Sequence, residues 1–328
     1  MARITGRYLL RRIGISAVTI YAIATLLFAL LHAMPGSPVD QLVGPSMTTE
    51  QIQNLEARFG LNAPLWEQYV NFMTNYLVGD FGYSVTTLEP VSSRILDRLV
   101  PTLILFVPAF VLQYSLGTIL GTYFGWNRGG KLDLGGFMAG LTLYSIPFFW
   151  LGWILIWVFS NQLGVLPGGH MLPPFVTEYG WVDGVVNLVL HLTLPMLALA
   201  LIGWAGPMLV MRTTMQDVVD ADYVDFARAQ GYPESAVMTR FGARNALIPV
   251  VTQAIIGIAF MIDGSVIVET VFSWPGIGKL LVDAVLAKDL PTALAAFFVL
   301  GVLIVALRLL TDIVYTMIDP RIEFGGTD

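Results

Sequence analysis

Apolar residues run almost unbroken in six places along the chain, near 13–33, 102–124, 134–160, 185–211, 246–272 and 292–318. Each run is long enough for an α-helix, rising 1.5 Å per residue, to cross a hydrocarbon core about 30 Å thick. The pattern predicts an all-α integral membrane protein with six transmembrane helices. Four arginines precede the first run, as they would in a secretory leader. Its apolar core, IGISAVTIYAIATLLFALL, is longer than a leader's, and no small-x-small cleavage site follows. It reads as a retained helix.

The polar stretches between these runs divide the chain. Residues 1–34 form an N-terminal tail and first helix, and residues 35–98 a helical insert expected on the extracytoplasmic side. Residues 99–318 form the core transmembrane bundle, and residues 319–328 a tail expected in the cytoplasm. Within the insert, Thr48 and Gln51 suit a capping box opening TTEQIQNLEARF, with Gly60 to close that helix. In PLWEQYVNFMTNYLVG, Leu65, Tyr69, Phe72 and Tyr76 share one face, and Gly79 ends the run. That apolar face is expected to pack on the bundle's rim.

Small residues four apart mark where helices approach closely in lipid: Gly117, Gly121 and Gly125 in one run, Gly136 and Gly140 in the next. Pro108, Pro147, Pro195 and Pro207 fall inside the apolar runs and predict kinks.

Composition narrows the function. Hydrophobic residues make up 56% of the 328 and charged residues only 12%, about half the charge of a soluble domain. There are no cysteines, which excludes disulfides, a thiol nucleophile and thiolate metal sites. His32, His170 and His191 lie too far apart for a metal-ligand spacing. A net charge of −6 argues against a nucleic-acid surface. Arg and Lys are biased to one side of the six-helix plan, eleven against five. The positive-inside rule then places both termini in the cytoplasm.

The longest loop on that side, residues 212–245, holds nine charged side chains between two very apolar runs. Val219, Tyr223, Phe226, Ala227 and Gln230 fall on one stripe at helical spacing. Gly231 stands where a left-handed cap ends a helix, and Pro233 where a new one begins. The spacing predicts helix, sharp turn and a short helix to about Arg240. An apolar stripe interleaved with charge suits a docking element better than a solvated connector.

DFARAQG at residues 225–231 resembles the EAA motif (E-A-A-x-x-x-G) of permease subunits in ATP-binding-cassette importers. Asp225 stands for the Glu and Phe226 for the first Ala, while Ala227 and Gly231 match. LLHAMPGSPVD, GDFGYSV, SIPFFWLGWILIWVFS with LGVLPGG, RNALIPVVT, VETVFSWPGIGKLLVDAVLAKDLP and DIVYTMIDPRI are similar to the dipeptide/oligopeptide permease branch. They follow the family's order nearly end to end and resemble the first permease of the usual pair.

The resemblance implies a type I importer permease fold in the cell membrane of a bacterium or archaeon. It implies a second homologous permease subunit, two cytoplasmic ATPases and an extracytoplasmic substrate-binding protein as partners. Asp225, Phe226, Ala227, Gly231, Tyr232, Pro233, Glu234 and Arg240 become the ATPase-coupling residues, with the helix after the glycine seated on the ATPase. ATP and Mg are expected on the partner subunits and no cofactor on this chain. The Gly278–Lys279 pair is no Walker A loop, because Leu280 stands where Ser or Thr is needed. The chain is therefore not expected to be an enzyme. Di- or oligopeptides are the expected substrates; sugars, oligosaccharides or nickel chelates are alternatives.

Four charges fall inside the apolar runs, where they are functional candidates by default. Asp263 and Glu269 are candidates for the substrate pathway. Arg308 and Asp312, four residues apart, are expected to pair with each other. An ion-coupled secondary transporter is the competing reading. It calls for an inverted repeat between halves, which this sequence does not show.

Overall fold

The computed structural model describes residues 6–33, 62–173 and 180–318. The expected helix opening at Thr48 and the arginine of the C-terminal tail, Arg321, lie outside the described residues. In chain order the helices are α1 (Gly6–Ala33), α2 (Leu65–Val78), α3 (Val91–Trp126), α4 (Lys131–Tyr144) and α5 (Phe148–Leu155). They continue with α6 (Trp181–Gly203), α7 (Ala205–Val219), α8 (Asp222–Ala229) and α9 (Glu234–Ala236). The last are α10 (Arg244–Val271), α11 (Ile277–Leu286) and α12 (Leu290–Ile318). Wider π turns extend α5 through Ile156–Gln162 and join α9 to α10 through Val237–Ala243. Among the described residues there is no strand, only an isolated antiparallel bridge between Tyr83 and Pro90.

Among the described residues four helices are long and apolar enough to cross a membrane: α1, α3, α6 and the first 21 residues of α12. The run at 134–160, expected to be one span kinked at Pro147, is two helices meeting at 105°. Pro147 sits at the corner in extended conformation, and its ring forbids the helical hydrogen bond that would carry the turn through. Counted as one span, the pair makes five. Pro101, Pro108 and Pro195, by contrast, are absorbed inside α3 and α6. The expected span at 185–211 changes helix at Trp204, although that residue keeps helical angles.

The core is built around α3 and α7, whose contact depends on glycine. A Cβ added at Gly117 would lie 2.6 Å from the Trp204 carbonyl oxygen, at Gly121 2.6 Å from that of Met208, and at Gly125 2.5 Å from that of Arg212. No other residue lets the two backbones come this close. Without a hydrophobic driving force inside lipid, such packing holds the helices together. The larger apolar core joins α3, α5, α6, α10, α11 and α12 around Leu105, Leu194, Phe272 and Trp274.

A second core binds α1 to α12 through Ala24, Leu27, Leu294 and Phe298. Helix α2 closes it with Met73 and Tyr76, helped by Tyr69 and Phe72. Gly79 ends α2 at φ 79°, the left-handed cap its position predicts. Leu65 departs from the predicted face: at the first turn it lies beyond the contact and is 62% exposed.

Candidate functional site

Two clusters of polar groups stand out, one at each face of the bundle. On the arginine-rich face, α8 is a two-turn helix whose Val224 and Ala227 are buried against Val237, Trp126, Val218, Ala221 and Phe241. Its C-terminus is closed by Gly231 at φ 82°, whose N–H donates to the Arg228 carbonyl over 2.9 Å. The left-handed turn that the sequence reserves for glycine is present. Pro233 follows in extended conformation and starts the next helix. This helix does not stop near Arg240 as expected. It runs through the π turns directly into α10, so Arg240 is an exposed residue on an element continuous with the membrane helix.

Arg228 ties the corner together. Its guanidinium donates to Asp225 Oδ1 at 2.9 Å and Glu234 Oε1 at 3.1 Å, and lies 5.2 Å from the Trp126 ring centroid. The Glu234 and Asp225 carboxylates push its pKa further up, so the link persists at any physiological pH. Two further links anchor the loop. Arg128 makes a bidentate pair with Asp220, at 2.7 and 2.9 Å, and Arg212 a bidentate pair with the buried Asp133. Asp133 also accepts the Gly129 N–H. Trp126, Arg128 and Asp133 escaped the sequence reading because their partners lie some 80–100 positions away.

The coupling candidates therefore come together on one ledge with divided duties. Ala227 is buried beneath it; Asp225 and Glu234 brace it; Gly231 and Pro233 shape its corner. Phe226 is 64% exposed, with Tyr223 and Tyr232 about 40% exposed beside it. Tyr232 leans on Phe241 with ring centroids 5.2 Å apart. The exposed apolar groups lie mainly on α8, before the glycine rather than after it.

At the opposite face, Glu269 does not present its carboxylate to an open pathway, as the sequence suggested. It is fully buried. Thr102 Oγ1 donates to Oε1 at 2.9 Å, and the Lys279 N–H donates to Oε2 at 2.9 Å. The carboxylate lies at the N-terminus of α11, where unpaired amide hydrogens and the helix dipole favour a negative charge. Thr102 Oγ1 also accepts the Ile277 N–H, and Trp274 Nε1 donates to the Pro101 carbonyl. Gly276 and Gly278 leave the space the carboxylate fills. Glu269 thus fastens α11 to α3.

Nearby, Asp289 gathers the loop before α3. Ser84 Oγ, Thr86 Oγ1, Thr292 Oγ1, the Val85 N–H and Arg94 Nη1 all donate to it. Burial pushes its carboxyl up, but these donors outweigh burial and hold it below the usual carboxylate range. Asp263 lies within α10, its side chain outside the described residues. The expected Arg308–Asp312 pair is replaced: Asp312 meets Arg12 of α1 at 3.0 Å, while Arg308 is exposed. Helix spacing suggested the local pair, but the α1–α12 contact brings a competing arginine to the same carboxylate.

A bundle of apolar helices with a braced ledge on one face and no strand among its described residues is a multi-pass membrane component. Residues 117–324 match the family described as "Binding-protein-dependent transport system inner membrane component". Residues 5–106 match the corresponding N-terminal family. The chain is 36% identical over 318 residues to the oligopeptide transport system permease protein AppB of Bacillus subtilis, covering 97% of this chain and 99% of that protein. A probable peptide ABC transporter permease of Sinorhizobium fredii is 35% identical over 320 residues, covering 97% of this chain and all of the relative. A putative peptide permease of Brucella suis is also 35% identical over 320 residues, covering 97% of this chain and 99% of the relative. The chain belongs to the family of inner-membrane components of binding-protein-dependent transport systems.

Proposed function

We propose that this chain forms half of the substrate pathway of an ATP-driven importer of di- or oligopeptides. The permease relatives named for peptides at near full-length coverage support the substrate class. In this reading α10, 28 residues long, is the sixth span, and both termini face the cytoplasm with the ledge. A homologous permease completes the pathway, two ATPases dock on the cytoplasmic face, and a binding protein delivers substrate opposite. ATP and Mg belong to the ATPases.

The observation that carries the coupling role is the exposed Phe226 on a helix braced from below. Phe226 and Tyr223 enter a groove on the ATPase, and the Arg228, Arg128 and Arg212 links pass its movement to α3, α4 and α10. Exposed aromatic side chains on a rigid base are what an interface anchor requires. The docking piece is therefore α8, with the helix after Gly231 as its lever into the membrane. Asp263 is our remaining candidate for contact with substrate in transit.

The test is the reconstituted complex with Phe226→Ala, which leaves the buried face of α8 untouched. ATPase stimulation and peptide uptake should fall together by about tenfold, the cost of losing one buried anchor. Gly231→Val, which forces a β-branched residue to positive φ, should reduce uptake while the chain still inserts. Normal uptake by both variants would remove the ledge from the coupling path. Identifying the ligand on the co-purified binding protein decides between peptide and sugar.

A further inference from the structure

Helix α2 divides its circumference into three sectors. Tyr69, Phe72, Met73 and Tyr76 pack on α1 and α12, reinforced by the Tyr69 hydroxyl, which bonds Tyr21 at 2.7 Å and Thr25 at 2.9 Å. Glu67, Asn71, Thr74 and Asn75 form an exposed polar sector. Between the two, Trp66, Val70 and Leu77 fall on one stripe at helical spacing, 68%, 49% and 63% exposed. The third sector is apolar, and none of the described residues covers it.

Its depth follows from two helices independently. The Arg12–Asp312 pair marks one level across α1 and α12: on α1 the apolar run begins at Ile13, and on α12 the exposed Arg308, one turn further in, is long enough to reach back to the same level. That level is the inner edge of the hydrocarbon, because lipid excludes charge. On α1, Phe28 meets the Tyr69 and Phe72 rings at 5.2 and 5.5 Å. It lies sixteen residues from Arg12, about 24 Å at 1.5 Å per residue. On α12, Phe298 meets the Tyr76 ring at 5.2 Å. It lies fourteen residues before Asp312, about 21 Å by the same rise. Both figures fall short of a core about 30 Å thick, so the packed face of α2 touches the bundle below the far hydrocarbon boundary.

We propose that α2 is an interfacial helix whose Trp66, Val70 and Leu77 bind the glycerol and upper acyl region of phospholipid in the leaflet opposite the N-terminal arginines. The polar sector is left for water, and a tryptophan at that depth matches the amphipathic residue membrane interfaces favour. The helix thus holds the segment leading to the Asp289 cluster down on the bilayer.

The chain has no cysteine, so single labels can be placed directly. Val70→Cys, Leu77→Cys, Asn71→Cys and Asn75→Cys would each carry a nitroxide. The full chain, assembled with its partner subunits, would be placed in vesicles of phosphatidylethanolamine and phosphatidylglycerol. Power-saturation spectra then compare collision with oxygen, which concentrates among acyl chains, and with a water-soluble nickel chelate. Oxygen should dominate at positions 70 and 77, and nickel at 71 and 75. Nickel dominating at all four positions would place α2 in water, and positions 70 and 77 shielded from both reagents would show that a protein covers the stripe. Either result overturns the proposal.

Discussion

Replacing Gly121 by alanine tests the contact on which the bundle depends. The added Cβ would lie 2.6 Å from the Met208 carbonyl oxygen, 2.7 Å from Met211 Cβ and 3.1 Å from the Arg212 nitrogen. Two of these three atoms belong to the α7 backbone, so no side-chain rotation relieves the clash. Ordinary contact begins near 3.4 Å, so α7 must retreat by about 0.8 Å, a gap that forfeits a quarter to a half of the dispersion attraction between facing atoms. Gly117 and Gly125 press on the same helix one turn to either side, so the loss spreads over three turns. Overpacking of this kind costs about 1–3 kcal/mol, reduced by up to about 1 kcal/mol because alanine favours helix over glycine. Gly135→Ala in α4 is the control, with nothing within 4 Å of its Cβ. It keeps the helical gain without the clash. Unfolding of both variants in nanodiscs should show Gly121→Ala less stable than the parent and Gly135→Ala at least as stable. If Gly121→Ala matches Gly135→Ala, the backbone contact between α3 and α7 is not what stabilises the bundle.

Thr102→Val removes the donor to Glu269 and the acceptor of the Ile277 N–H together, at about 1–3 kcal/mol for each buried group left unpaired. Thr102→Ser should restore parental stability in the same unfolding assay. Asp289→Asn should speed amide hydrogen exchange across residues 84–88, because the charged acceptor of that loop is lost. In the parent, Asp289 titrates below its unfolded value near 3.9, so its contribution is complete above that value and is lost as pH falls through the folded one. The protection factor, exchange referred to the unfolded chain at the same pH, should therefore be flat from neutral pH down to about 5 and fall only below about 4. Exchanging charges with Arg12→Asp plus Asp312→Arg should recover stability that either single change loses, as a double-mutant cycle would register.

The features legible in the sequence are those decided within a few residues. Gly231 at φ 82° and Gly79 at φ 79° are of this kind, because one backbone angle selects glycine at both. The glycine repeat at 117, 121 and 125 was readable for the same reason: one helix face carries all three. Pro147 announced a bend but not its 105°, since the missing hydrogen bond breaks the helix and the surrounding packing sets the angle. Glu269 looked like a pathway acid because its capping partner, Thr102, stands 167 positions away. Arg308 and Asp312 illustrate the opposite error. Their spacing of four is a genuine local cue, overruled by an arginine three hundred residues earlier that tertiary packing brings to 3.0 Å. The apolar stripe on the 212–245 loop did not reveal that the buried residue beside it, Val224, would be the one holding α8 down.

The ion pair between the first and last helices also sets a schedule for making the protein. Asp312 leaves the ribosome three hundred residues after Arg12. At about 5–20 residues per second, roughly 15–60 s separate the two. For that interval α1 stands in the membrane without Leu294, Phe298 or Asp312 to pack against. A chain interrupted before α12 leaves α1 without the Leu294 and Phe298 packing and without the Asp312 carboxylate that complete its flank.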